Sequence, residues 1–174
     1  MARIEYHTLP VRAFMEHTVC VPAGAVTFGV EYRRLDEATI LAEYGPDAEA
    51  KFGGIRPAGM GQVVEEDGVA LHVFDQAAGQ ELLRFDCFDD APHYHLLAPQ
   101  DSRNIVIEHD AATLGPLLDW ALAQLGTRLP ALLREAGAGA VADRVDGAIV
   151  ASALETVEQV ARYVQAAGRP VLVS

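Results

Sequence analysis

Two hydrophobic periods divide this chain. Up to about residue 110, apolar side chains recur at every second position in short runs, as in strands with one buried face. Beyond it they recur at intervals of three and four, as in amphipathic helices. Phe14–Val21 and Val26–Arg33 read as strands of a hairpin turned by Pro22, Ala23 and Gly24. Asp36 can cap a short helix that puts Ile40, Leu41 and Tyr44 on one face and stops at Gly45-Pro46. The run GVALHVFD, a short glycine-containing link and ELLRFDCF read as a second hairpin, and His93–Leu97 and Asn104–His109 as two further strands. The sheet then has about six strands, a common size.

After Asp110, Leu117, Leu118, Ala121 and Leu125 fall on one helical face, with Pro116 suited to the first turn, and Leu129, Leu132 and Leu133 continue it. Pro130 predicts a kink or break near Gly126, with Thr127 capping the second half. Gly137 ends the segment. Ser152-Ala-Leu-Glu155 has the form of a capping box ahead of Val157, Val160, Ala161 and Val164, and Gly168-Arg-Pro170 closes that helix. Val171–Val173 is either an edge strand or a packed tail. The expectation is an α+β fold in which residues 1–174 form one domain: an antiparallel sheet from the first two thirds, and C-terminal helices packed on its Leu71, Leu83, Phe85 and Ile107 face. Trp120 should lie at that contact.

Composition narrows the partners. The 174 residues are 51% apolar, which is globular, and the net charge is −12. Lys51 is the only lysine and the arginines are scattered, so neither nucleic acid, a ribonuclease-like activity included, nor an anionic membrane is an expected partner. The first ten residues carry charge and a proline where an export signal needs an apolar run, and no stretch is long enough to span a bilayer. Cys20 and Cys87 lie in apolar runs without a basic neighbour, which suits reduced structural thiols and a cytoplasmic location. The valine- and alanine-rich face around Val157–Val164 suggests a homo-oligomer formed through the C-terminal helices or the sheet.

Charge and chemistry are unevenly placed: 8 basic and 19 acidic side chains precede residue 111, and 5 and 6 follow. All six histidines and both cysteines are in the first part. Strand parity puts Leu83, Phe85 and Cys87 on the core face and Arg84 and Asp86 on the other. The same count leaves His72 and Phe74, His93 and His95, and Asn104, Val106 and Glu108 on that second face. If the four strands adjoin, the face gathers His72, Arg84, Asp86, His93, His95 and Glu108.

His-x-His on a strand sets two imidazoles on one side about 7 Å apart, near enough to share an ion. A carboxylate from Asp86, Asp89, Asp90 or Glu108, or the imidazole of His72, would complete a set for divalent iron, manganese or zinc. Binding would need neutral imidazoles and weaken in acid, and the acidic surroundings should raise the histidine pKa values. The plainer reading is a wet sheet face whose histidines are solvated or pair across strands. Two function classes follow, a small-ligand or metal-binding protein with possible enzymatic chemistry at the histidine face, and a non-catalytic protein-interaction domain.

Other chemistry is sparse. The glycines of FGGIRPAGMG, 52–61, are followed by acidic residues and not by a helix start, which does not suit a phosphate cradle. Cys87 and His93 fall on opposite faces, too far apart to act together. Asp89-Asp90 ahead of Pro92 reads as turn chemistry, and His7, His17 and His109 are isolated.

The segment FDCFDDAPHYH, 85–95, resembles a signature of uncharacterised bacterial proteins in which an acidic strand runs into Pro-His-Tyr-His ahead of a helical C-terminal part. The resemblance implies a family without an assigned activity. His93-x-His95 with Gln100 is also similar to a fragment of the first cupin motif. Cys87 stands where that motif has glycine, no second histidine motif follows, and helices replace the strands such a barrel needs.

Overall fold

The computed structural model describes residues 2–47 and 66–173. Seven strands, β1 (Arg3–Tyr6), β2 (Thr18–Ala23), β3 (Val26–Leu35), β4 (Glu66–Asp75), β5 (Glu81–Phe88), β6 (His93–Ala98) and β7 (Arg103–Glu108), form one sheet in the order β1-β7-β6-β5-β4-β3-β2. Every neighbouring pair is antiparallel. The helices are α1 (Glu37–Tyr44), α2 (Ala111–Leu114), α3 (Leu117–Glu135), α4 (Gly139–Ala142) and α5 (Gly147–Ala167). Strands in the N-terminal two thirds and helices after them give the expected α+β architecture. The glycine loop 52–61 lies outside the described residues.

One sheet face is the hydrophobic core. Phe28 and Val30 of β3, Val69, Leu71 and Val73 of β4, Leu83 and Phe85 of β5, Leu96 of β6 and Ile105 of β7 are buried there against α3 and α5. Trp120 on α3 lies at this contact, 5.3 Å from Tyr94 and 6.4 Å from Phe85 between ring centroids. Along α5, Val157, Ala161 and Val164 are buried, so the apolar face that suggested self-association is used within the chain. Cys87 packs against the core, whereas Cys20 pairs with Gly29 on the opposite face, so the two free thiols point away from each other. Among the described residues no helix is long and apolar enough to cross a membrane.

Several elements depart from expectation. β1 is a seventh strand, a short edge whose exposed residues give no hydrophobic alternation. Leu41 is exposed while Ile40 is buried, so α1 does not bury both. Helix α3 runs unbroken through Gly126, Thr127 and Pro130. Seven of its apolar residues, Leu117, Leu118, Ala121, Leu125, Leu129, Leu132 and Leu133, are buried in one stripe. At ~1.5–3 kcal/mol per large buried side chain, that stripe outweighs the ~3 kcal/mol of an interior proline. Thr127 donates its hydroxyl to Ala123 O and caps nothing. Helix α5 starts earlier than Ser152, because the Asp146 carboxylate accepts from the amides of Ala148 and Ile149. Val171–Val173 forms no strand; it is a tail anchored by Val173 N–H on Glu16 O.

The second face was expected to be wet, and it is covered. β1 and β2 are the two edges of the sheet, so residues 7–17 must cross its full width. Six interstrand steps are about 29 Å, within the roughly 40 Å that this length of nearly extended chain can span. The crossing segment is fastened along the way. Thr8 O accepts from Asn104, Leu9 O from Tyr44, and Val11 O and Arg12 O from Arg33. The Phe14 ring lies against the Arg33 guanidinium. Strand periodicity tells which side chains share a face, and says nothing of what a distant segment lays over it.

Candidate metal centre

Under the crossing segment lies a layer of charged side chains. From β3 it takes Glu31 and Arg33, from β4 His72, from β5 Glu81, Arg84 and Asp86, from β6 His93 and His95, and from β7 Asn104. The layer separates into two groups.

The first is centred on His72, between two carboxylates: Nε2 is 2.9 Å from Glu31 Oε2 and Nδ1 is 2.6 Å from Glu81 Oε1. Glu81 also accepts a two-pronged pair of bonds from Arg84, at 2.8 and 2.7 Å, and Glu31 accepts from Arg33. Burial disfavours the charged imidazole, but the Glu81 charge and the hydrogen bonds of Glu31 and Glu81 outweigh it and raise the His72 pKa. Burial likewise works against the carboxylate of Glu81, while Arg84 and His72 hold its pKa well below the usual range. Gly29 opposite His72 is required here, since a Cβ on it would sit 2.8 Å from both the Phe74 ring and the Thr18 methyl.

In the second group, Asp86 lies directly across from His93 in the β5–β6 pairing, with His95 diagonal to it. His95 Nε2 is 3.0 Å and His93 Nε2 is 3.4 Å from the same Asp86 oxygen, Oδ2. Each histidine has its other nitrogen on a carbonyl: His93 Nδ1 is 2.8 Å from Ala91 O and His95 Nδ1 is 2.8 Å from Asn104 Oδ1. A carbonyl oxygen only accepts, so each Nδ1 is a donor; a ring without a proton on Nε2 aims a lone pair at Asp86, and a ring protonated there donates to it. With both Nε2 atoms unprotonated, three acceptors converge with no donor between them. The remaining Asp86 oxygen, Oδ1, is buried without a hydrogen-bond partner among the described residues.

Electrostatics keep Asp86 ionised. Burial raises its pKa, but the His95 imidazole, which donates to it when protonated on Nε2, and the positive charge of Arg84 lower it further. His95 moves the other way from expectation: burial, with His93 and Arg84 adding to it, lowers its pKa despite the nearby Asp86. The acidic surroundings raise His72 and not His95, because only His72 has a carboxylate on both nitrogens. Glu31, Glu81 and Asp86 face Arg33, Arg84 and His72, whose raised pKa favours its charged form, while the lowered pKa of His95 favours its neutral form.

The carbonyl that holds His93 comes from a costly conformation. Ala91 has φ of 49°, in the left-handed region where a non-glycine residue loses about 1–2 kcal/mol. That turn of the Asp89–Pro92 loop directs Ala91 O back at His93 Nδ1. Strain of this kind collects at functional positions.

Of the residues singled out in the sequence, the structure brings Asp86, His93 and His95 within ligand distance of one another, with candidate atoms no more than 4.8 Å apart. His72 belongs to the Glu31–Glu81 group, on the far side of Arg84. Glu108 is the register partner of His93, yet it is exposed and outside the cluster, because the His93 ring turns toward β5. Asp89 and Asp90 are exposed loop residues next to the cluster. Sequence reasoning missed Glu31, Arg33 and Glu81 and gave Asn104 no role. Parity in VTFGVEYRRL does put Glu31 and Arg33 on the second face, whereas Glu81 reaches it through the irregularity after Val73.

Residues 20–161 match the family model of a domain of unknown function, DUF7700. No curated protein and no solved structure matches the chain.

Proposed function

The chain belongs to this DUF7700 family, and from its site we propose that it binds one divalent transition-metal ion through Asp86, His93 and His95. The observation that carries the reading is the convergence of two Nε2 atoms on one oxygen of an ionised carboxylate, each imidazole held from behind by a carbonyl. Metal-ligating histidines characteristically donate their second N–H in this way. Neighbouring ligand atoms around zinc, iron or manganese lie roughly 3.0–3.5 Å apart, which the 3.0 and 3.4 Å separations match. Two histidines and one carboxylate leave coordination positions for water or a small-molecule ligand. There the ion would acidify bound water or polarise a carbonyl or phosphoryl oxygen for hydrolysis, or as iron support oxygen chemistry. Access is from the His93 side, whose side chain is 17% exposed against 3% for Asp86. Asp89, Asp90 and Glu108 make that approach favourable to a cation. A cytoplasmic location belongs to the proposal, supported by two free thiols on opposite faces of the sheet. A protein partner on the second face finds it already covered by residues 8–14.

The test is elemental analysis of protein purified without a histidine tag, beside a His93→Ala, His95→Ala double variant. Stoichiometric zinc, manganese or iron in the unaltered protein, or a thermal shift on adding one of them, is expected, and both should vanish in the double variant. Substoichiometric metal together with no shift for any of the three removes the reading.

A further inference from the structure

We infer that Asn104 is a positioning residue that makes His95 a metal ligand, and that the crossing segment 7–17 sets its orientation through the carbonyl of Thr8. The inference rests on the metal reading for its consequence and on hydrogen-bond polarity for its substance.

Thr8 O is a backbone acceptor, and the Asn104 side-chain amide nitrogen lies 3.3 Å from it. That contact determines which end of the amide is which, because the reverse orientation would oppose two oxygens. The amide oxygen of Asn104 must then face His95, 2.8 Å from Nδ1. Nδ1 must donate, so in the neutral ring Nε2 has no proton. The lone pair needed by a cation is directed at Asp86 Oδ2. Without Asn104 the tautomer would reverse. Nε2–H would then donate to the Asp86 carboxylate, and the ligand atom would be blocked by its own hydrogen bond.

Asn104 is fully buried and pairs in register with Tyr6 of β1, at the point where the chain leaves the sheet edge to begin its crossing. The ligand geometry is thereby tied to a segment over 80 residues away in sequence. His93 is held independently by Ala91 O, so the two imidazoles are oriented by different parts of the chain.

Two variants and one spectroscopic readout test this. In metal-free protein, long-range 15N–1H correlation of the histidine rings, with His95 assigned by a His95→Gln variant, is expected to show His95 protonated on Nδ1. Asn104→Ala should move the proton to Nε2 and weaken zinc or cobalt binding 10- to 100-fold. Asn104→Asp supplies an acceptor for Nδ1 without a donor for Thr8 O. It should restore the Nδ1 tautomer and metal affinity to within several-fold, while amide exchange of Leu9 and Val11 speeds up at least tenfold. If Asn104→Ala does not fold, the unaltered protein and Asn104→Asp still decide. An unaltered protein with His95 protonated on Nε2, or an Asn104→Ala variant with unchanged tautomer and affinity, overturns the inference. Nδ1 protonation in a protein that binds no metal would instead overturn the metal reading and leave the positioning role standing.

Discussion

Gly29 shows how narrowly single residues shape the charged layer. It stands opposite His72 in the β3–β4 pairing, and His72 and Phe74 stack at 5.7 Å between ring centroids. A Cβ at Gly29 would meet the Phe74 ring and the Thr18 methyl at 2.8 Å and His72 Cβ at 3.2 Å. Its neighbours on this side are packed from both flanks, so Gly29→Ala is expected to destabilise by about 1–3 kcal/mol through overpacking. Urea unfolding measures it, and an unchanged midpoint would show that Phe74 can move aside. A sequence reader sees a glycine inside a strand and infers close approach, without learning what approaches. The same limit holds at the site. Parity alone placed Asp86, His93 and His95 on one face, but the convergence of Nε2 atoms depends on the Ala91 carbonyl and the Asn104 amide. Both are set by a loop conformation and a distant backbone group that periodicity does not encode.

Among the elements, α5 separates a sequence signature from the cap the chain uses. Ser152 and Glu155 have capping-box spacing, yet Ser152 lies inside the helix and the first turn is held by Asp146. Three valine and alanine positions, Val150, Ala153 and Val157, are buried across that region, so packing carries the helix back past Ser152 to the earlier cap. Asp146→Ala is expected to cost about 1 kcal/mol, typical of a lost N-cap. Ser152→Ala, at an exposed interior position, should change stability by no more than about 0.5 kcal/mol. Thermal or urea denaturation of the two variants distinguishes them, and a larger loss for Ser152→Ala would return the cap to the capping box. Helix α3 makes the same point, its continuous buried stripe overriding the break that Pro130 announces locally. Elements with long apolar stripes were legible in type and misjudged at their ends, whereas β1, with four residues and an exposed edge, carried no periodic signal.

At the scale of the whole molecule, the sheet separates two unlike interiors, an apolar one under α3 and α5 and a charged one under the crossing segment. A charged interior is stable only while its charges balance, which makes stability depend on pH in a way that an apolar core would not. His72 governs the alkaline side. Its pKa is raised in the folded protein, so its contribution is fully present below the unfolded value of about 6.5 and is lost as pH rises through the folded value. His95 has the opposite sign and a separate window. Its pKa is lowered, so its contribution is complete above about 6.5 and declines as pH falls toward the folded value. Further into acid, Glu31, Glu81 and Asp86, all held below their usual range, lose theirs on protonation. Metal-free protein should therefore be most stable near pH 6.5 and lose stability on going to pH 9. His72→Gln leaves Glu31 and Glu81 facing a neutral group and should cost about 3–5 kcal/mol, as for a broken buried ion pair. It should also flatten the curve between pH 6.5 and 9, because the titrating group is gone. Urea unfolding of both proteins at pH 6, 7.5 and 9 checks this. A wild-type stability that is level or rises over that interval would mean that His72 is neutral between its two carboxylates and that the charged layer is balanced in another way.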